Sequence, residues 1–298
     1  MQTEYNTLSL IGNTPMVYVG DHGNAKIWIK LEGANPSGSL KDRTVSHVIL
    51  KKIQEGALAP GKTLLDASSG SHACALAYVA SVIGSPCTVV VNSKLSPDNE
   101  VLLTLLGAEI IKHGSVTLES RERCLELVTQ GPDKWYFFDQ LTNLDAPAAH
   151  HKTAQEIFQS LDSVSAIFAS KGSGVTLTGI CEFISESNAD TIVYGSVSIN
   201  NDVGKIAGTY LEGIDYETDF IKNLSNNSIY SGDVSVTYSD AMKNCLDLVR
   251  RGIFVGPQCG GVYAAALDQI EQQGISGNVV IVAGDSFMKN MGRFSKDN

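Results

Sequence analysis

Basic residues are in short supply: 22 Lys and Arg stand against 32 Asp and Glu, a formal net charge of −10. A surface of that sign gains nothing from nonspecific contact with nucleic acid or an anionic membrane, both of which reward clustered cations. No uninterrupted apolar run of about 18 residues occurs, so no ordinary spanning helix is expected. The opening Met1-Gln2-Thr3-Glu4-Tyr5 has neither a basic nor an apolar leader region, so a secretory signal is not expected and a cytoplasmic location is. The six cysteines, at 74, 87, 124, 181, 245 and 259, include no Cys-x-x-Cys pair. All but Cys259 lie in apolar surroundings, the pattern of free buried thiols. His47, His113, His150 and His151 lack ligand spacing, so no metal is expected. Neither G-x-G-x-x-G nor G-x-x-x-x-G-K-[ST] is present, which removes the dinucleotide fingerprint and the Walker A loop.

What is present is globular: 298 residues, 43% hydrophobic and 18% charged, enough for one large α/β unit or two domains. Residues 26–32, 63–67, 88–92, 109–112, 135–138, 166–169, 191–197 and 278–283 read as strands. Helix-length segments separate most of them, the mark of βαβ units with mainly parallel sheets. Ser96-Pro97 reads as an N-cap followed by Pro at the first helical position, and the run to Leu106 ends at Gly107, a good residue to follow a helix. Residues 198–234 are the least regular stretch, broken by Asn200-Asn201-Asp202 and residues 223–228.

Four segments can carry chemistry. In Asn35-Pro36-Ser37-Gly38-Ser39-Leu40-Lys41-Asp42-Arg43 a tight turn delivers Lys41 to the mouth of a helix, with Ser39 as N-cap. The positive end of the helix dipole and lost solvent both disfavour the ammonium there, and a neutral amine can form a Schiff base with an aldehyde cofactor such as pyridoxal phosphate. The plainer reading is a solvated lysine opening an amphipathic helix buried through Val45, Val48, Ile49 and Ile53. Asp66-Ala67-Ser68-Ser69-Gly70-Ser71-His72 joins a strand to an apolar helix, where hydroxyls and backbone N–H groups suit a carboxylate; its plainer reading is a turn in which Ser69 or Ser71 caps the helix. Lys171-Gly172-Ser173-Gly174-Val175-Thr176 also follows a strand and opens a helix, the context of a phosphate cradle, or else a glycine turn for close packing. Gly256-Pro257-Gln258-Cys259-Gly260-Gly261 precedes an Ala-rich helix, and Cys259 there either meets a cofactor nitrogen or is a small buried thiol.

These segments, in this order, resemble the fold type II (β-family) pyridoxal-phosphate enzymes, most closely the cysteine synthase (O-acetylserine sulfhydrylase) group. The resemblance runs from Ile11-Gly12-Asn13-Thr14-Pro15 to Asp285-Ser286. It implies an α/β fold of two parallel-sheet lobes like the tryptophan synthase β-subunit, with the cofactor in the cleft. The smaller lobe would span 38–145 and the larger one 1–37 plus 146–298. It makes Lys41 the Schiff-base lysine that also moves the substrate Cα proton, and Gly172, Ser173, Gly174, Val175 and Thr176 the phosphate loop. Ser68, Ser69, Gly70 and His72 become the carboxylate loop, assisted by Gln140, while Ser71 stands where the group has an asparagine against the cofactor's ring hydroxyl. Cys259 or Gln258 matches the residue facing the pyridine nitrogen; the two stay unresolved by one register.

The resemblance implies β-replacement on an activated L-serine, O-acetylserine or a similar compound, with sulfide or another nucleophile, giving cysteine or a β-substituted alanine. It further implies a homodimer acting on a small amino acid. Departures in the 68–72 loop keep rivals open. Ser-Ser-Gly-x-His at 68–72 is similar to serine and threonine dehydratases, which stop at elimination, and His72 crowding the loop fits a catalytically silent binding homologue. Val175 replaces the second glycine of the group's usual phosphate loop.

Overall fold

The computed structural model describes residues 7–199 and 204–294. As far as Ala146 the regular elements are β1 (Met16–His22), β2 (Ala25–Leu31), α1 (Lys41–Gln54), β3 (Thr63–Ala67), α2 (Ser71–Ile83), β4 (Cys87–Val91), α3 (Pro97–Leu105), β5 (Glu109–Lys112), α4 (Thr117–Gln130) and β6 (Trp135–Phe137). Beyond it come α5 (His151–Ser160), β7 (Ala166–Ser170), α6 (Val175–Ser187), β8 (Ile192–Ser198), α7 (Asp219–Leu224), β9 (Tyr230–Val236), α8 (Tyr238–Arg250), α9 (Pro257–Gln273), β10 (Gly277–Ala283) and α10 (Met291–Phe294). They divide into two compact units. Of the described residues, those up to Ile11 and Asn35–Ala146 form the first, and Gly12–Ala34 with Pro147 to the end of the described chain form the second. The grouping of Thr7–Ile11 with the first unit has a visible tie, since Tyr78 Oη on α2 donates to the Thr7 carbonyl.

The first unit holds a wholly parallel sheet in the order β5-β4-β3-β6. Every residue of β3 and β4 is buried, as expected of inner strands whose crossover helices cover both faces. One layer beneath the sheet joins Leu65, Ala67 and Val90 to Cys124 of α4 and to Trp135. The helix predicted from Ser96-Pro97 is α3: Ser96 Oγ accepts the Asn99 N–H at 3.3 Å, and Gly107 follows the end with φ +77°.

The second unit carries a six-stranded sheet ordered β1-β2-β10-β7-β8-β9. All neighbours are parallel except β1 and β2, which form an antiparallel pair with a bulge between Tyr18 and Gly20. One core packs α8 and α9 on one face, with Phe168 stacked on Tyr194 at 4.8 Å. A second core, through Ile157, Leu177, Ile180 and Ile184, seats α5 and α6 on the other.

Two sheet edges depart from the expected strands. β1 was not among them, and β9 begins inside the stretch read as irregular and runs two residues past it. Asn200-Asn201-Asp202 lies outside the described residues. The six cysteines are free and buried. Among the described residues no helix is long and apolar enough to cross a membrane.

Candidate active site

In parallel α/β sheets the loops beyond the carboxyl ends of the strands are free to bind ligands. Three predicted segments occupy such positions: Ser68–Gly70 after β3, Gln140 shortly after β6, and Lys171–Gly174 after β7.

In the first unit Lys41 is the opening residue of α1 and is partly buried. Ser39 is not the N-cap. Leu40 occupies that position with helical φ and ψ, and Ser39 Oγ instead accepts the Lys41 backbone N–H at 3.2 Å. The turn before it closes through Gly38 N–H donating to Asn35 O at 2.8 Å, with Gly38 at φ +81°, a conformation glycine adopts without penalty. Asp42, fully buried, fixes the same turn by accepting from both the backbone N–H and the hydroxyl of Ser37. The backbone that presents Lys41 is therefore bonded on both sides of it. The stripe expected to be buried on α1 holds for Val45, Val48 and Ile49, whereas Ile53 is exposed.

Neither Ser69 nor Ser71 caps α2. The N-cap is Gly70, which has no side chain to offer, and Ser71 is the first helical residue. Ser69 Oγ accepts from Asn92 N–H at 2.8 Å, and its carbonyl accepts from Asn99 Nδ2 at 3.1 Å. Ser68 Oγ accepts from Gly70 N–H at 3.3 Å. The helix thus starts with first-turn amides that no N-cap side chain accepts from, the arrangement that draws an anion.

Gln140 is brought to the same loop. Its side-chain Nε2 donates to Ala67 O at 2.8 Å, and its backbone N–H to Asp66 Oδ2 at 3.2 Å. Asp66 is 1% exposed; its other oxygen accepts from Ala67 N–H at 2.7 Å, and His72 Nε2 lies 2.8 Å from Oδ2. That last approach has the distance of an ion pair but not the angles of a hydrogen bond, so His72 Nε2 is buried without a hydrogen-bond partner. The His72 ring packs edge-on against Phe138 at 4.8 Å and is 3% exposed. It faces inward, away from solvent. Next door, Arg121 grips Asp139 with both Nε and Nη2 at 2.8 and 2.6 Å. Burial alone would raise the Asp139 pKa, but the bonds from Arg121 and Thr142 outweigh it and hold the carboxyl below its ordinary value. Asp66, Asp139 and Asn99 were not among the expected site residues; Asp66 at the head of its motif was the available signal.

In the second unit the 172–176 turn opens α6, whose N-cap Gly174 sits at φ +87° and adds no side-chain cap. A Cβ on Gly172 would come within 2.6 Å of Gly208 O, so only glycine lets these backbones meet. Ser173 O accepts from Thr218 Oγ1 at 2.6 Å, which also caps α7. Val175 and Thr176 are buried in the first turn, and Thr178 Oγ1 just beyond is buried without a hydrogen-bond partner. Thr176 Oγ1 lies 3.3 Å from His150 Nε2. Lys171 is 5% exposed; its ammonium pairs with Asp233 and lies 5.2 Å from the Tyr210 ring centre. Its charge is already neutralised before any anion reaches the loop.

Gly208 is the meeting point here. Gln258 Nε2 donates to its carbonyl at 3.1 Å, and Thr209 Oγ1 is 3.2 Å from Ser170 Oγ. The neighbouring Cys259 is 1% exposed within the core beneath α9, where burial pushes its thiol pKa up. The second unit thus draws 172–176, Gly208 and Gln258 together, and the first draws 68–72 and Gln140 together.

The chain from residue 7 to 285 matches the model of the pyridoxal-phosphate dependent enzymes. It belongs to that family. Cysteine synthase B of Escherichia coli is 31% identical over 269 residues, covering 86% of this chain and 85% of that protein. A probable cysteine synthase of Bacillus subtilis is 31% identical over 297 residues, covering 94% of each. Among solved structures, O-acetyl serine sulfhydrylase isoform 3 from Entamoeba histolytica superposes with a TM-score of 0.87 at 27% identity, covering 98% of this chain and 91% of that one. A hydrogen sulfide-producing enzyme from Fusobacterium nucleatum gives 0.86 at 25%, covering 95% and 98%.

The cofactor is therefore pyridoxal phosphate. The start of α6, with no side-chain cap and with the Thr178 hydroxyl buried without a hydrogen-bond partner, suits an anion, whereas the crowding of Gly172 against Gly208 O reflects close backbone packing.

Proposed function

We propose that this enzyme carries out β-replacement on an activated L-serine, O-acetylserine or a close analogue, with sulfide or another small nucleophile. Lys41 would hold the cofactor's aldehyde carbon and afterwards carry the substrate's Cα proton on Nζ. Gly172, Ser173, Gly174, Val175 and Thr176 would hold the phosphate, Ser71 would meet the ring hydroxyl, and Gln258 or Cys259 the pyridine nitrogen. When bound, pyridoxal phosphate supplies the electron sink that makes a Cα–H bond breakable. The remaining work is positioning. The amides of Ser69 and His72 would donate to the substrate carboxylate, Ser68 and Gly70 would shape the loop through the bonds Ser68 N–H to Val90 O and Gly70 N–H to Ser68 Oγ, and Gln140 fixes the strand end that carries them.

The observation that carries this reading is the convergence of Gln140 and the uncapped start of α2 on the Asp66–Ala67 strand end. It forms a carboxylate cradle in the unit that also presents Lys41. Elimination alone, as in a dehydratase, drew on the Ser-Ser-Gly-x-His likeness, and a silent homologue on crowding by His72. Both are weakened because the imidazole is turned inward onto Phe138 and Asp66. The same reading makes the protein a cytoplasmic homodimer that takes a free amino acid.

The test is an absorbance titration of the holoenzyme with O-acetylserine, followed by sulfide. A shift of the visible band that sulfide reverses with formation of cysteine is expected. Pyruvate accumulating equally with and without sulfide would replace this reading by the dehydratase one, and an unmoved band would reopen the substrate.

A further inference from the structure

We propose that His150 is a positioning residue for the cofactor phosphate, acting through Thr176 by setting where that hydroxyl's only proton points. The proposal rests on the reading of 172–176 as the phosphate loop.

His150 is fully buried at the end of the short 3-10 helix Pro147–His150, where α5 begins. Its Nε2 is 3.3 Å from Thr176 Oγ1 and its Nδ1 is 3.3 Å from Thr153 Oγ1. Thr153 is likewise fully buried, and Thr176 is 8% exposed. The imidazole is thus threaded between two hydroxyls, one of them in the loop. What brings it there is Gly179 on α6: a Cβ at this position would lie 2.0 Å from Pro147 O and 3.0 Å from His150 Cβ, so α6 meets the 147–150 turn backbone to backbone.

A neutral imidazole offers one N–H and one lone pair, and a threonine hydroxyl has a single proton. Two arrangements satisfy the chain of three groups. In one, Thr176 donates to Nε2 and Nδ1–H donates to Thr153; the Thr176 proton is consumed inside the protein. In the other, Thr153 donates to Nδ1 and Nε2–H donates to Thr176 Oγ1. Only the second leaves the Thr176 proton for an anion, and an anion at the loop in turn favours it, because successive hydrogen bonds polarise one another. No proton is gained or lost; the group changes tautomer only.

The full-length protein, stripped of cofactor, is titrated with pyridoxal phosphate and separately with pyridoxal, following absorbance and intrinsic fluorescence. His150→Asn, too short to reach Thr176, is expected to weaken pyridoxal phosphate about tenfold while leaving pyridoxal within about twofold. His150→Gln, which can place an amide N–H near the Nε2 position, should recover most of the loss. Thr176→Val should weaken pyridoxal phosphate and abolish any further effect of His150→Asn in the double variant. Thr153→Val, close in shape, should weaken pyridoxal phosphate by about threefold and keeps the test decisive if an Asn at 150 does not fold. Equal losses for both ligands, additive effects of the 150 and 176 changes, or an unaltered Thr153→Val would overturn the relay. An unaltered Thr176→Val would overturn the loop reading itself.

Discussion

Lys41 enters α1 with its own amide tied to Ser39 and its neighbour Asp42 tied to Ser37, so a change at its side chain leaves the turn's bonds in place. Lys41→Ala is expected to remove the visible band of bound cofactor and to lower turnover by at least about a hundredfold, with thermal unfolding of the cofactor-free protein little changed. Asp66→Asn acts differently. The carboxylate accepts from two backbone N–H groups and sits beside His72, so a neutral amide misplaces Gln140. A rise in the KM for the amino acid, larger than the fall in kcat, together with a loss of about 1–3 kcal/mol in stability, is the expected outcome in steady-state kinetics and denaturant unfolding. Asp139 gives a pH dependence whose sign is fixed. Its pKa is lowered in the folded state, so its pairing with Arg121 stabilises at neutral pH and is lost as pH falls from the unfolded value of about 3.9 through the folded one. Arg121→Gln should therefore flatten the acid limb of the stability curve. Thiol chemistry follows from burial as well. Desolvation pushes Cys87, Cys181 and Cys245 to about 12, and all six cysteines should resist a thiol reagent until denaturant is added.

At the scale of elements, a glycine in the turn before α6 and one within the helix decide geometry. Gly172→Ala must push Gly208 O away, and Gly179→Ala must separate α6 from Pro147. Each is expected to cost about 1–3 kcal/mol by overpacking, read as a drop of about 2–4 °C in Tm per kcal/mol. Much of this element map was legible beforehand. Residues 63–67 and 109–112 coincide with β3 and β5, because short runs rich in apolar residues between turn residues are what a parallel sheet needs. β1 and β9 escaped notice for the opposite reason. Both are edge strands, and Gly20, Asp21 and His22 on one, Ser231, Gly232 and Asp233 on the other, spell a turn rather than a buried strand. The lysine segment was legible as chemistry because a turn, a helix start and a cation fall within a few consecutive residues. The bond from Gln140 to Asp66 spans 74 residues and the one from Thr176 to His150 spans 26, and no local pattern announces either.

For the molecule as a whole, cofactor binding should appear as stability. A ligand held only by the folded state adds about 2.7 kcal/mol at a hundred times its Kd, so stripping pyridoxal phosphate should lower Tm, and re-adding it should restore the value in a dose-dependent way. Lys41→Ala should blunt that response. The six-stranded sheet also imposes an order of events. β2 has β1 on one side and β10 on the other, and β10 begins at Gly277. During synthesis Asn35–Ala146 emerges as one continuous stretch with all four strands of its own sheet in hand, whereas β2 must wait with an open apolar edge until the last strand leaves the ribosome. A nascent chain stalled far enough beyond Ala146 to release it from the ribosome should accordingly contain a protease-resistant 35–146 segment preceded by a cleavable 12–34 stretch, and that stretch is where a chaperone would find its binding site.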